Sequence, residues 1–200
     1  MIEIKNLSFS HGKNQIFNDF SAVIGSNCAT LLGGPNGSGK TTLLQLIGGV
    51  HKPDSGSIVI NGHDIASLKS KEQAQLRSIA PQRRIFELAF TVEEIFAIIR
   101  PKQRTARAGD IFEALDLYDL FSSKITELSL GQQQRVSVGL ALIQSADYYL
   151  FDEPFSAQDS VYTQKLLDLI TSVSKETGIM VISHNTGHIA QYFDENIYLS

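Results

Sequence analysis

Residues 33–42 read GGPNGSGKTT, set between the apolar run Cys28-Ala29-Thr30-Leu31-Leu32 and a segment with apolar side chains at Leu43, Leu46, Ile47 and Val50. Few folds accommodate that order. The run before the loop is continuous and not alternating, as a strand covered on both faces of a parallel sheet requires. The i, i+3, i+4, i+7 spacing after it predicts an amphipathic helix laid on that sheet. The turn contains G-x-x-x-x-G-K-[ST] as Gly34, Gly39, Lys40 and Thr41. In this context Gly34, Pro35, Asn36, Gly37, Ser38, Gly39, Lys40, Thr41 and Thr42 form the expected phosphate-binding set. Its glycines let backbone N–H groups curl round phosphate oxygens, Lys40 adds a point charge at the β- and γ-phosphates, and the Thr41 hydroxyl can ligate Mg²⁺. The pattern predicts nucleoside triphosphate binding; the competing reading is a glycine-rich turn with a solvated lysine.

Two further apolar runs, Tyr148-Tyr149-Leu150-Phe151 and Ile179-Met180-Val181-Ile182, carry the same signature of central parallel strands. Leu166, Leu169, Ile170 and Val173 repeat the helical spacing. The amino end differs: Ile2, Ile4 and Leu7 open an extended stretch that turns at 11–14 and returns through Ile16, Phe17, Phe20, Val23 and Ile24, as antiparallel strands would. From Gln82 to Leu128 the pattern turns helical, with TVEEIFAIIR, a break at Pro101, then GDIFEALDLYDLF. The expected fold is α/β: a P-loop NTPase core with a mainly parallel sheet, an N-terminal antiparallel β part and an inserted helical subdomain. Residues 1–200 are read as one domain, with 1–82 and 128–200 as core and 83–127 as the helical insertion.

Composition narrows the class. A chain of 200 residues with 42% hydrophobic content can bury one core, and 17 basic against 21 acidic residues give a net charge of −4, which supplies no basic field for nucleic acid. The single cysteine, Cys28, excludes an internal disulfide framework and suits a reducing compartment. The start MIEIKNLSFSHGKNQ has no signal-peptide pattern, and no apolar run approaches the ~20 residues of a membrane span. An end at Ser200 is expected to leave no room for an added regulatory domain.

YYLFDEP places Asp152 and Glu153 at the end of an apolar strand, the edge where parallel sheets meet ligands. Asp152 is read as a Mg²⁺-shell carboxylate and Glu153 as the group that orients or deprotonates a water; the alternative for Glu153 is a solvated loop start. LSLGQQQRV, residues 128–136, sets Ser-x-Gly before a helical stretch. That is either a plain N-cap or an anion site at a helix N-terminus.

Together these residues resemble the nucleotide-binding subunit of ATP-binding cassette (ABC) transporters, over nearly the whole chain. LSLGQ is similar to the family signature LSGGQ, and it falls after the phosphate loop and before YYLFDEP, in the family's order. Gln82 in IAPQRR resembles the Q-loop, Ser156-Ala157-Gln158-Asp159 the D-loop, and His184 in VISHN the switch histidine. The resemblance implies ATP and Mg²⁺ as ligands, bound between two copies of the chain, or this chain and a homologous subunit, packed head to tail. Ser129, Gly131 and Gln132 would then hold the γ-phosphate of ATP on the opposite chain. Gln82 would touch Mg²⁺ or the attacking water, His184 would hydrogen-bond the γ-phosphate, and Asp159 would join the chain-to-chain contact while capping the next helix. A turn residue at Gln82 and a structural histidine at 184 are the competing readings.

Three positions depart from the pattern. Leu130 replaces the first signature glycine, His11 stands where an aromatic residue usually stacks on adenine, and Gln158 replaces the usual D-loop leucine. The resemblance further implies separate transmembrane permease subunits and a peripheral position on the cytoplasmic face of the membrane. Ile85, Phe86, Leu88 and Phe90 follow the Q-loop, where the family docks its membrane subunit; burial inside the helical insertion competes with that. Arg100, Lys102, Arg104 and Arg107 form a basic run that meets lipid headgroups, meets an acidic partner or is simply solvated. The rival functions are a soluble cassette ATPase unconnected with transport and a nucleotide-gated interaction protein with weak turnover. A GTPase is disfavoured because no NKxD guanine-reading motif occurs.

Overall fold

The computed structural model describes residues 1–82, 84, 86–99 and 107–200. The expectations placed on Ile85, Arg100, Pro101, Lys102 and Arg104 lie outside the described residues. In chain order the first half comprises β1 (Ile2–His11), β2 (Asn14–Ile24), β3 (Ala29–Gly33), α1 (Lys40–Ile47), β4 (Ser55–Ile60), β5 (His63–Asp64), α2 (Ser70–Leu76) and β6 (Arg77–Ala80). Then follow α3 (Val92–Ile98), α4 (Ala108–Ala114), α5 (Leu130–Leu142), β7 (Tyr148–Asp152), α6 (Ser160–Val173), β8 (Gly178–Ile182) and β9 (Glu195–Tyr198).

The strands form an antiparallel sheet of order β2-β1-β4-β5 and a parallel sheet of order β6-β7-β8-β3-β9. Strand alternation sorts the parallel sheet's side chains between two cores. Leu32, Tyr148, Leu150, Met180 and Ile182 pack with α1 and the inner face of β1 and β4. Leu31, Tyr149, Phe151, Ile179 and Val181 pack with α3, α4, α5 and α6. Both faces are covered, which is why these strands read as continuous apolar runs. Among the described residues no helix is long and apolar enough to cross a membrane.

One expectation needs correction. Val50 does not continue the sheet-facing stripe of α1: the helix stops at Ile47, and Val50 is 63% exposed. Two successive glycines end it. Gly49 adopts φ +65°, the Val50 N–H bonds Gln45 O at 2.9 Å, and Arg77 donates to the terminal carbonyls of Ile47 and Gly48. Left-handed backbone and a cation at the carbonyl end are standard means of stopping a helix.

Candidate functional site

Four adjacent parallel strands end level with one another. The register pairs Ala80 with Phe151, Asp152 with Ile182, and Leu32 with Ile182, so β6, β7, β8 and β3 release their chains at one edge. The residues just beyond those ends are Gln82, Glu153, His184 and the glycine loop. They meet around a cavity of about 550 Å³ walled by Asn36, Gly37, Lys40, Thr41, Gln82, Glu153 and His184 among others. Gly39 and Thr42 also border it, whereas Gly34, Pro35 and Ser38 shape the loop behind.

The loop owes its course to backbone that only glycine adopts cheaply. Gly34, Gly37 and Gly39 have φ of +142°, +85° and +91°. At Gly39 a β-carbon would also stand 2.7 Å from Ile16 Cγ2 and 2.9 Å from Phe17 Cζ, so β2 presses the loop against the start of α1. Lys40 is buried and its Nζ donates to Gly34 O and Pro35 O, each at 2.8 Å. Among the described residues no carboxylate pairs with that ammonium. Ser38 Oγ is buried there and has no hydrogen-bond partner among the described residues. A cation, an unpartnered hydroxyl and a glycine loop at a helix N-terminus form a fitting receptor for a polyphosphate.

Opposite the loop, Thr41 Oγ1 donates to Asp152 Oδ1 at 3.4 Å. Burial pushes the Asp152 carboxyl above its ordinary range; the Thr41 hydroxyl pulls it back, Glu153 adds to the rise and Lys40 opposes it. A hydroxyl, a buried carboxylate and the Gln82 amide are hard oxygen donors, the chemistry that suits Mg²⁺ beside phosphate. Glu153 takes a left-handed backbone at φ +52° and donates its N–H to Ile182 O at 3.0 Å. That turn aims its carboxylate along the cavity wall, where Oε2 lies 2.9 Å from His184 Nδ1. The Glu153 side chain is 10% exposed and that of His184 60%, so one carboxylate is sheltered while its imidazole partner reaches outward.

The comparisons with known proteins bear on this geometry. The family model described as ABC transporter matches residues 17–156. That span holds the loop, Gln82, LSLGQ and the acidic strand end. The chain belongs to the ABC transporter family. It is similar to the ABC transporter ATP-binding protein YtrE of Bacillus subtilis, with 33% identity over 92% of this chain and 89% of that protein. It is also 32% identical, over 99% of its length, to the uncharacterized ABC transporter ATP-binding protein YvrA of the same organism, of which it spans 48%. A solved dimeric bacterial ABC transporter cassette superposes over 100% of this chain and 94% of its own, with a TM-score of 0.85 and 25% identity. As a family member the chain is an ATP-binding and ATP-hydrolysing subunit that energises a transporter.

Two groups of expected ABC residues stand away from the cavity wall. His11 is exposed at the end of β1, its ring edge-on to Phe9 with centroids 4.8 Å apart and 5.1 Å from the ring of His51. Ser129, Gly131 and Gln132 open α5. Ser129 is its N-cap, Oγ accepting from the Gln132 N–H at 3.3 Å while Gln132 Oε1 accepts from the Ser129 N–H at 2.9 Å. Within one chain the polar knot is therefore a reciprocal cap. The first backbone bond of the helix runs from the Gln133 N–H to Ser129 O at 2.9 Å, which leaves the N–H groups of Leu130 and Gly131 ahead of the ladder. Leu130 itself is 68% exposed and borders a separate cleft of about 500 Å³ with Gln82, Phe86, Gln134, Ser156 and Ala157. The sequence reading missed Asn14 and Ile16, which reach the cavity from the start of β2. Their only signal was position, directly after the turn that follows His11.

Proposed function

We propose that this chain binds MgATP in the cavity at the carboxyl edge of the parallel sheet and hydrolyses it to ADP and phosphate. The observation that carries the reading is the convergence of the glycine loop, Gln82, Glu153 and His184 on one space. Lys40 exchanges its two loop carbonyls for phosphate oxygens, and the loop N–H groups hold the chain of phosphates in line. Thr41, Asp152 and Gln82 would hold Mg²⁺, which neutralises charge developing on the transferred phosphoryl group. Glu153 takes a proton from the attacking water as its oxygen bonds to the γ-phosphorus and the bond to the β–γ bridging oxygen breaks. His184 keeps the Glu153 carboxylate oriented and offers its exposed ring edge to the γ-phosphate side. His11 supports adenine from the end of β1.

The cap at Ser129 and the first-turn N–H groups of α5 that lie ahead of its ladder complete a second copy's site, with Ser129, Gly131 and Gln132 contributed head to tail. The solved dimeric relative supports a pairing of two copies. An exposed apolar cleft of about 370 Å³, bordered by Phe86, Leu88, Phe90, Ile95, Ile98 and Ile99, supports a transmembrane permease subunit as the further partner, and hence a peripheral position on the cytoplasmic face.

The test is Glu153→Gln. Hydrolysis is expected to fall roughly 10²-fold or more, the lower range for a positioned acid–base group, while ATP affinity by calorimetry stays near that of the parent. Parental turnover in this variant would move the base elsewhere and refute the assignment.

A further inference from the structure

Gln158 stands where the ABC pattern carries an apolar residue, and its side chain does what leucine cannot. Its Nε2 donates to Gly131 O at 2.8 Å, in the first turn of α5, and its Oε1 accepts from Arg135 Nε at 3.2 Å, one turn further along. Both amide ends are used, so the amide's orientation is fixed. Arg135 is in turn immobilised. It donates to Asp116 Oδ2 at 3.2 Å, lies 4.3 Å over the Tyr162 ring and approaches Asp159 Oδ2 at 3.9 Å. Lys165 of α6 reaches the same Asp116 at 2.7 Å, and Asp159 caps α6 by accepting from the Tyr162 N–H at 2.7 Å.

The backbone agrees with this clamp. Ala157 takes φ +57°, a conformation L-residues avoid, and its carbonyl presses on Gly131, where a β-carbon would stand 2.7 Å from Ala157 O. Gly131 is thus required for close packing by the loop of its own chain, independently of any phosphate. The segment 156–159 and the first turn of α5 touch through backbone on one side and through the Gln158 amide on the other.

We propose that Gln158 is a positioning residue that latches the loop after β7 to the first turn of α5, so that the two surfaces offered to a partner chain move as one body. The inference rests on the head-to-tail reading above for its consequence, but not for its geometry. Nucleotide held by the partner's glycine loop would then be sensed at Ser129 and Gly131 and passed directly to Asp159 and, through the strand end, to Glu153. Leucine at 158 would transmit only by packing.

The experiment uses the full chain with Gln158→Met, which keeps length but forms neither bond, and Gln158→Glu, which keeps an acceptor for Arg135 but cannot donate to Gly131 O. Hydrogen exchange of the nucleotide-free protein is expected to speed up about tenfold at the bonded amides of Ser156, Gln132 and Gln133 in the Met variant, the loss of a hydrogen bond or two. ATP affinity of the single chain should stay unchanged, because the cavity wall is untouched, while kcat falls about tenfold and KM does not move. The Glu variant should match Met in kcat. Parental exchange in the Met variant, or parental kcat in either variant, overturns the latch. A parent chain that neither binds ATP nor hydrolyses it would refute the functional reading instead, and the exchange measurement would still decide the latch.

Discussion

Asp152 is 3% exposed, and its carboxyl is held above the ordinary range chiefly by burial. A raised acid is a cost to the fold. The folded chain keeps the proton longer than the unfolded one, so stability is highest below the unfolded value, falls as pH rises through the folded value, and is flat beyond it. Asp152→Asn removes that penalty while its amide oxygen still accepts from Thr41. The nucleotide-free variant is therefore expected to melt higher than the parent near neutral pH, by roughly 2–4 °C for each kcal/mol recovered, and to lose the Mg²⁺-dependent part of its ATP affinity. Scanning calorimetry with and without MgATP checks both; a lower midpoint would mean that the carboxylate is satisfied in a way its burial conceals. Lys40→Ala acts on the opposite charge. Among the described residues its Nζ bonds only loop carbonyls, so the fold should survive, with parental circular dichroism, while triphosphate affinity falls on the order of 10²-fold, the loss of one or two charge-assisted contacts. Unchanged affinity would remove the loop from the binding site.

The elements differ in how openly the sequence announced them. β3, β7 and β8 were legible because both faces are buried and the run is apolar throughout, and the acids after β7 were legible because a strand end is a local feature. β6 and β9 were not, since Arg77-Ser78-Ile79-Ala80 and Glu195-Asn196-Ile197-Tyr198 are short edge strands whose polar members dilute the pattern. Pairs such as Gln158 with Gly131, 27 positions apart, depend on tertiary placement that no local spacing encodes. The N-terminus of α5 lies between these cases: the motif was legible, but its two readings could not be separated by sequence. Substitution can separate them. Ser129→Ala should cost about 1 kcal/mol of stability as a lost cap. Ser129→Asp keeps a good cap and favours the helix dipole, so stability should hold, yet its negative charge should repel an arriving phosphate and abolish ATP-driven dimerisation. A Ser129→Asp chain that dimerises normally would leave the serine as a cap and nothing more.

At the scale of the whole molecule the decisive feature is separation. The glycine loop, Glu153 and His184 share one cavity wall, while Ser129 caps α5 and Gly131 packs against the loop after β7 of the same chain. If the working site is assembled from two copies, each ATP is held by the loop of one chain and the α5 terminus of the other. Two differently damaged chains must then complement one another. In a mixed dimer of Lys40→Ala and Ser129→Asp, one site combines both defects, whereas the other combines the intact loop of the Ser129→Asp chain with the intact α5 terminus of the Lys40→Ala chain. Neither variant pairs with itself through ATP, so at equal mixing the pairs that form are mixed, each with one whole site out of two, and up to about half of parental hydrolysis should return. Each variant alone should stay near background. Stronger coupling between the two sites would lower the recovered fraction without abolishing it. Absence of any recovery, with mixed dimers demonstrated by cross-linking, would mean that a single chain carries a complete site and that the α5 terminus serves only its own fold.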